Sequence, residues 1–221
     1  MGKKALCIMS GGMDSTLAAY MMKAQEYEII ALHFNYGQRT MHKELACFRA
    51  ICDDLGTTKR YEIDLGFFES IGASALTDHN IDVPTGGIEA GVPITYVPFR
   101  NGIFLSIAAA LAEKHAAEII CIGVVEEDSS GYPDCREHFI DSIQKSINLG
   151  TKDETNITIA MPLVHLKKEQ IVAQALAFEA PLHLTWSCYQ NEDVACGVCD
   201  SCRLRLKGFE LAGTIDPLPY M

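Results

Sequence analysis

The chain of 221 residues is poor in positive charge: 18 lysines and arginines stand against 29 aspartates and glutamates, a formal net charge of -11. A protein with this excess of negative charge repels polyanions, so we expect no nucleic acid among its partners. No apolar run has the length of a membrane helix, and no leader of charged, apolar and small residues precedes the first predicted strand. We therefore expect a cytoplasmic protein with small-molecule substrates and no membrane partner.

The nine cysteines are an odd number, and four of them crowd into the stretch "CYQNEDVACGVCDSC" near the C-terminus. Without an export signal, reduced thiols and a metal are favoured over disulfides. Four thiolates satisfy tetrahedral zinc with no open position, which predicts a structural zinc site. An iron–sulfur cluster is the alternative, but the usual fourth cysteine after C-x-x-C-x-x-C is absent, so zinc is favoured. The predicted ligands are Cys188, Cys196, Cys199 and Cys202.

The other five cysteines stand in apolar contexts, and we expect them to pack as small hydrophobes. They are Cys7, Cys47, Cys52, Cys121 and Cys135.

Short apolar strands alternate with helical patterns along the chain, which predicts an α/β fold with a doubly wound, mainly parallel sheet. Ligands of such sheets bind at the carboxyl ends of the strands. We expect Asn101 to cap the helix that follows it, and His33 to be a core histidine. The predicted strands span 5–9, 29–34, 59–65, 119–124 and 157–161, and the predicted helices span 15–25, 40–55, 138–148 and 167–178, with one more after Asn101. Residues 66–98 show no regular pattern and read as a long loop with a functional role.

The stretch "CIMSGGMDST" lies between the first strand and the first helix. Gly11 and Gly12 let the backbone approach a ligand closely, and the helix start presents free N–H groups to an anion. The loop contains no lysine, so it is not a P-loop. Asp14 repels phosphate but can hold a magnesium ion that bridges to phosphate. The alternative is a tight strand–helix turn without a ligand.

The segment "SGGMDS" resembles the SGGxDS loop of the PP-loop ATP pyrophosphatases, whose fold is a Rossmann-like sheet of the adenine-nucleotide alpha-hydrolase type. In that superfamily the loop holds the β and γ phosphates of ATP as leaving pyrophosphate, and the α phosphorus is transferred. The resemblance implies catalytic roles for Ser10, Asp14 and Ser15, with Arg100 and Lys168 as cations. For Lys168, a solvated helix position is an equal alternative. The ATP-binding residues that the resemblance implies here are Ile8, Met9, Ser10, Gly11, Gly12, Met13, Asp14, Ser15, Thr16, Leu17 and Ala18.

Three further stretches, "FNYGQR", "YVPFRN" and "SGYPDCR", together with the cysteine tail, resemble the QueC family of queuosine biosynthesis. The resemblance implies an ATP-dependent carbon–nitrogen ligase that converts 7-carboxy-7-deazaguanine and ammonia to a nitrile through an acyl adenylate and an amide. It also implies ATP, Mg²⁺ and Zn²⁺ as cofactors and a homodimer. We expect a PP-loop domain over residues 1–185 and a zinc-binding segment over 186–221 packed on it.

Candidate substrate contacts lie in the same stretches. The purine-like edge of the substrate presents N–H donors that suit a carboxylate, for which Asp134 is the first choice and Asp128 the second. Tyr132 or Phe99 could stack on the ring, although core packing explains both equally well. An ordinary turn position is the alternative for Asp134.

Four further residues complete the predicted site. Arg100 and Asn101 complete the substrate site, and Tyr36 and Gln38 are expected beside the adenine or ribose.

Two other functions compete with a nitrile-forming ligase. One is another adenylating PP-loop enzyme, such as a tRNA sulfur-insertion enzyme that uses a cysteine. The acidic charge and a cysteine quartet committed to zinc count against it. The other is a non-enzymatic zinc-bearing nucleotide-binding module, and Asp14 in a hydroxyl-rich loop counts against that.

Overall fold

A sheet of five parallel strands organises the protein. The computed structural model describes residues 2–86, 91–126 and 131–221. Within these residues the strands run in the order β3-β2-β1-β4-β5, and every neighbouring pair is parallel. Their bounds are β1 Lys4–Ile8, β2 Glu28–Asn35, β3 Arg60–Asp64, β4 Ile119–Ile122 and β5 Thr158–Ala160. The predicted doubly wound parallel sheet is confirmed.

Helices connect the strands and cover the sheet. Their bounds are α1 Met13–Ala24, α2 Met41–Leu55, α3 Phe67–Ile71, α4 Arg100–His115, α5 Glu137–Gly150, α6 Lys168–Ala177 and α7 Asp200–Leu211. The periodic patterns predicted α1, α2, α4, α5 and α6, whereas α3 and α7 carry too little apolar periodicity and were not predicted. None of the helices in the described part of the chain has the length and hydrophobicity needed to span a bilayer.

Alternate residues of the central strand β1 enter two separate hydrophobic cores. Ala5 and Cys7 pack with α1, α2, α6 and the cysteine segment, which is the stretch of residues 186–202 that contains the cysteine quartet. Leu6 and Ile8 pack with α4 and α5. A parallel sheet is stable when both of its faces are covered in this way. All five cysteines outside the quartet are buried, which confirms that they pack as small hydrophobes. His33 is also buried, and its Nδ1 lies 2.8 Å from the carbonyl oxygen of Met9, as expected for a core histidine.

The strand order places a crevice at the carboxyl end of β1. The chain leaves β1 toward β2 on one side, and β4 joins β1 on the other side. Such a switch point separates the two connections and is where ligands bind in open α/β sheets. Gly123 follows β4, and a Cβ on it would lie 2.8 Å from the backbone nitrogen of Ser15. The absence of a side chain at Gly123 therefore lets the end of β4 approach the first turn of α1.

The structure corrects the prediction that Asn101 caps its helix. The N-cap position is Phe99, two residues before Asn101, with a φ of 55°, and helix α4 begins at Arg100. Asp134 supplies the cap instead, because its Oδ2 accepts a 2.9 Å hydrogen bond from the backbone N–H of Asn101. The Asn101 side chain donates to the carbonyl oxygen of Asp134 at 3.3 Å. The sequence pattern missed this because the two residues lie 33 positions apart.

Candidate active site and metal centre

Hydroxyl groups fix the shape of the loop that follows β1. The Oγ atoms of Ser10 and Ser15 lie 3.2 Å apart, and the Ser10 Oγ accepts a bond from the Gly12 amide at 3.2 Å. The hydroxyls of Ser15 and Thr16 both donate to the carbonyl oxygen of Gly12. Gly12 occupies the N-cap of α1 and has no side chain to bond the first amides of the helix. Those amides and the positive end of the helix suit an anion.

Gly11 brings the loop into close contact with α2 on one side and with the cysteine segment on the other. Its φ is +83°, and a Cβ on it would lie 2.5 Å from the backbone oxygen of Glu44 in the first turns of α2. On the other side, the Trp186 amide donates a 2.9 Å hydrogen bond to the Gly11 carbonyl. The loop conformation therefore depends on two segments far away in sequence.

Asp14 and Lys168 form an ion pair at the entrance to α1. The Lys168 Nζ lies 2.9 Å from one Asp14 carboxylate oxygen and 3.1 Å from the other. The Lys168 side chain is only 13% exposed and the Asp14 side chain 30%. The first turn of α6 therefore places an ammonium group beside the loop after β1, and Lys168 is not a solvated helix position.

Arg100, the first residue of α4, contacts Tyr36, which follows β2 on the same side of the sheet. One guanidinium nitrogen donates to the Tyr36 hydroxyl at 2.9 Å, and the group lies over the rings of Tyr36 and Phe104 at 5.3 and 5.9 Å. Burial raises the pKa of Tyr36 to about 12, so its phenol is neutral at physiological pH. The Gln38 Oε1 accepts a 2.8 Å bond from the Tyr36 backbone amide. The Arg100 guanidinium, the Tyr36 hydroxyl and the Gln38 side-chain amide therefore lie close together.

These groups surround a cavity of about 300 Å³ at the switch point. The predicted phosphate-loop residues in its wall are Ile8, Ser10, Gly12, Met13, Asp14 and Ser15. The other predicted residues in its wall are Tyr36, Gln38, Arg100, Asn101, Tyr132 and Lys168. The structure therefore brings together residues from four of the sequence stretches that pointed to a site.

Some of the predicted residues lie away from this cavity. Met9, Gly11, Thr16, Leu17 and Ala18 are buried behind its wall. The predicted contact Asp128 lies outside the described residues.

The two remaining predicted contacts, Phe99 and Asp134, also lie outside the cavity wall. Phe99 is 52% exposed, and its ring packs edge-on against Phe139 with centroids 5.6 Å apart. Asp134 is 2% exposed behind the wall, where burial raises the pKa of its carboxyl group. Its Oδ1 has no hydrogen-bond partner among the described residues. In the structure Asp134 caps α4, which orients Arg100 at the start of that helix.

Glu44 is a cavity residue that the sequence did not reveal. Its Oε1 accepts a 2.8 Å bond from the Thr40 hydroxyl, and its Oε2 accepts a 3.1 Å bond from the Gln38 amide. Burial raises the pKa of Glu44 to about 7. The sequence feature that could have identified Glu44 is its place in the first turn of a helix that follows the carboxyl end of a predicted strand.

The four cysteines of the C-terminal quartet converge on one point. Their sulfur atoms all lie within 4.8 Å of one another, and those of Cys196 and Cys202 are 3.9 Å apart. Zinc–sulfur bonds of about 2.3 Å in a tetrahedron place the sulfurs about 3.8 Å apart, so the donor set fits zinc. Hydrogen bonds from the Cys199 and Cys202 thiols and from backbone amides lower the pKa of the Cys188 thiol, which favours the thiolate that binds metal.

Arg205 ties the cysteine segment to the C-terminus. Its side chain is 2% exposed and bonds both carboxylate oxygens of Asp216, at 2.7 and 3.0 Å. It also donates to the hydroxyl of Thr185 at 2.7 Å. Tyr220 donates a further 2.6 Å bond to Asp216. Thr185 immediately precedes Trp186, whose amide bonds the Gly11 carbonyl. The buried Arg205–Asp216 ion pair therefore supports the segment that contacts Gly11.

The fold and the loop together define the class of protein. NMN synthetase from Francisella tularensis has a similar fold, with a TM-score of 0.53 at 16% identity, over 97% of this chain and 79% of that one. The strand order and this likeness show a shared fold, an open parallel α/β sheet with its switch point at the hydroxyl-rich loop after β1.

The sequence comparisons narrow this class to one family. The sequence profile of the family described as "Queuosine biosynthesis protein QueC" matches residues 4–213. The chain belongs to the QueC family.

Relatives within this family are similar over their full length. The chain is 71% identical over 220 residues to 7-cyano-7-deazaguanine synthase from Sulfurovum sp. (strain NBC37-1), which covers 100% of this chain and 99% of that one. It is 69% identical over 219 residues to 7-cyano-7-deazaguanine synthase from Sulfurimonas denitrificans, over 99% of this chain and 98% of that one. The resemblance predicted from the sequence motifs is confirmed.

Proposed function

We propose that this protein is an ATP-dependent ligase that converts 7-carboxy-7-deazaguanine and ammonia to 7-cyano-7-deazaguanine. The observation that carries the proposal is the 71% identity to a 7-cyano-7-deazaguanine synthase over the whole chain. The cavity at the switch point supports the proposal. Adenylation requires hydrogen-bond donors and positive charge around the leaving pyrophosphate, and the hydroxyl-rich loop, Arg100 and Lys168 supply them.

The first chemical task is to transfer the α phosphorus of ATP to the substrate carboxylate. The amides at the start of α1 and the hydroxyls of Ser10 and Ser15 bind the departing β and γ phosphates. Lys168 and Arg100 offset the negative charge that collects there. Asp14 would hold Mg²⁺, which supplies further neutralisation of the leaving pyrophosphate when bound. The protein contributes positioning and charge stabilisation, and the activated groups belong to the substrate and ATP.

The substrate ring is assigned to the wall formed by Tyr132 and Asn101. The Tyr132 hydroxyl donates a 2.8 Å bond to Thr95, which holds the aromatic ring in a fixed position. Tyr36 and Gln38 are assigned to the adenine or ribose of ATP. Asp134 remains the candidate for the N–H edge of the substrate through its Oδ1, which has no hydrogen-bond partner in the part of the chain that the structure describes. This contact requires the ligand to reach past the present wall of the cavity.

We further propose that the cysteine quartet binds zinc with a structural role, because four thiolates leave no position for substrate. We also propose a homodimer, which the family resemblance implies. From the composition and charge, we propose that the protein acts in the cytoplasm on small molecules and without nucleic acid. The sulfur-inserting alternative requires a reactive thiol in the cavity. Cys135 lines the cavity, but burial raises the pKa of this thiol to about 12, which leaves it protonated and unreactive.

The test is to incubate the protein with ATP, Mg²⁺, ammonia and 7-carboxy-7-deazaguanine. Mass spectrometry should find the nitrile, with the amide as an intermediate, and enzymatic detection should find pyrophosphate and AMP. A reaction without ammonia serves as the control and should release pyrophosphate without forming either nitrogen-containing product. Release of orthophosphate instead of pyrophosphate would contradict the proposal.

A further inference from the structure

We propose that the carboxylate of Glu44 is the proton acceptor for the ammonia-derived nitrogen in the nitrile-forming reaction. This inference rests on the proposed function. It assigns a catalytic role to a residue that lies in the wall of the same cavity as the phosphate loop, Lys168 and Arg100.

The reaction requires an acceptor because ammonia carries three N–H bonds and the nitrile nitrogen carries none. Attack of ammonia on the acyl adenylate forms a C–N bond, breaks the C–O bond to AMP and releases one proton. The amide oxygen then attacks the α phosphorus of a second ATP, and pyrophosphate departs. Loss of the last two protons accompanies cleavage of the C–O bond to the second AMP as the triple bond forms. All three protons leave one nitrogen held at one place, so a single fixed base can serve each step.

The position of Glu44 suits this task. Its carboxylate is held by one hydrogen bond to each oxygen, from Thr40 at 2.8 Å and from Gln38 at 3.1 Å. A carboxylate oxygen has a second lone pair, so each oxygen retains an acceptor site for a nitrogen ligand. The backbone of Glu44 lies against Gly11, which places the first turn of α2 directly beside the phosphate loop. Glu44 itself lines the cavity of about 300 Å³, so a ligand bound at this end of the cavity lies beside it.

The surrounding charges match a base that works near neutral pH. Burial raises the pKa of Glu44 to about 7, whereas the bonds from Thr40 and Gln38 and the charge of Arg100 on α4 act in the opposite direction. Glu192 of the cysteine segment raises it further. A base is most effective when its pKa lies near the working pH.

Other ionisable groups near Glu44 do not compete for the same role. Burial raises the pKa of both Tyr36 and Cys47, so each is neutral at that pH. Asp14, the acidic residue on the phosphate loop, already forms an ion pair with Lys168.

Glu44→Gln tests the role by separating two steps. Exchange of labelled pyrophosphate into ATP, with the carboxylic acid and no ammonia, measures adenylation alone and should change less than about threefold. Nitrile formation should fall about 10²- to 10⁴-fold, the range of a general base. Equal losses in both assays would show a structural role, and unchanged nitrile formation would show that another group accepts the protons. Either result overturns the proposal. Absence of exchange in the unmodified protein would refute the proposed function and the role of Glu44 with it.

A second variant covers the case in which Glu44→Gln does not fold. Thr40→Val retains Glu44 but removes a hydrogen bond that lowers its pKa, so the rising limb of the pH–rate profile for nitrile formation should move to higher pH. Glu192→Gln is the matched control with the opposite expected shift. It removes a negative charge that raises the pKa of Glu44, so the rising limb of the pH–rate profile should move to lower pH. Profiles that do not move in these opposite directions overturn the proposal.

Discussion

The Lys168 ammonium lies 2.9 and 3.1 Å from the two carboxylate oxygens of Asp14, although the residues are 154 positions apart. The pair joins the first turn of α6 to the phosphate loop after β1. Without nucleotide, Lys168 compensates the charge of Asp14. In the proposed reaction, Mg²⁺ would replace Lys168 as the partner of Asp14 and phosphate would replace Asp14 as the partner of Lys168, so the ion pair would keep both groups in place until ATP binds.

Asp14→Asn should abolish pyrophosphate release while the protein stays folded. The amide is neutral and a poor magnesium ligand, so we expect a loss of at least about 100-fold in kcat. The free energy of unfolding in urea should fall by about 1–3 kcal/mol, because the largely buried Lys168 ammonium loses its carboxylate partner. Asp53→Asn, which breaks an exposed pair with Arg60, is the control and should remain fully active. An active Asp14→Asn protein would show that Asp14 is not the Mg²⁺ ligand.

Gly11→Ala should destabilise the protein and prevent nucleotide binding. The added Cβ would lie 2.5 Å from the backbone oxygen of Glu44, which is not free to move, at a φ of +83°. Gly56→Ala is a matched control, because its φ is +70° but no atom lies within 4 Å of the new Cβ. The control carries only the left-handed strain of about 1–2 kcal/mol and should still bind ATP. Thermal unfolding and a nucleotide-binding titration give the comparison, and equal behaviour of the two variants would argue against the close contact.

Metal analysis of the purified protein should find one zinc per chain, and Cys199→Ser should lose it. The lost ligand leaves three thiolates, so the segment around residues 186–202 should unfold at lower temperature. Cys52→Ala removes a buried cysteine outside the quartet and should keep its zinc. Because Trp186 holds Gly11, the Cys199→Ser protein should also bind ATP more weakly than the Cys52→Ala protein. Iron and sulfide in the unmodified protein would overturn the assignment of zinc.

Asp216→Asn should be strongly destabilising. It leaves the guanidinium of Arg205 buried without a counter-charge, and removal of one partner of a buried pair costs about 3–5 kcal/mol. Glu62→Gln breaks the exposed bridge to Arg49 and should cost less than about 1 kcal/mol. Denaturant unfolding of both variants measures the difference. A small effect of Asp216→Asn would mean that the C-terminal residues do not support the segment containing Thr185.

The local sequence predicted the elements and groups whose signals lie within a few residues. Apolar periodicity predicted α1, α2, α4 and α5, which are four of the five helices that the structure describes between the strands, and missed only α3. The signature of "SGGMDS" correctly predicted a strand, a tight loop and a helix start, and phosphate binding by that loop stays a prediction. The spacing of Cys196, Cys199 and Cys202, with Cys188 upstream, predicted a four-sulfur cluster that the structure brings within 4.8 Å. The boundary at residue 186 and the contacts with ATP and substrate stay predictions.

The chain by itself determined the α/β class, the strand–loop–helix turn after β1 and the cysteine quartet, because turn chemistry, hydrophobic periodicity and metal-ligand spacing act over short distances along the backbone. Only the tertiary structure decided that Lys168 reaches Asp14, that Asp134 caps α4 and that Glu44 enters the cavity. Each of these contacts depends on how helices from separate parts of the chain pack on the two faces of one sheet. The pattern around a single residue carries no information about that packing.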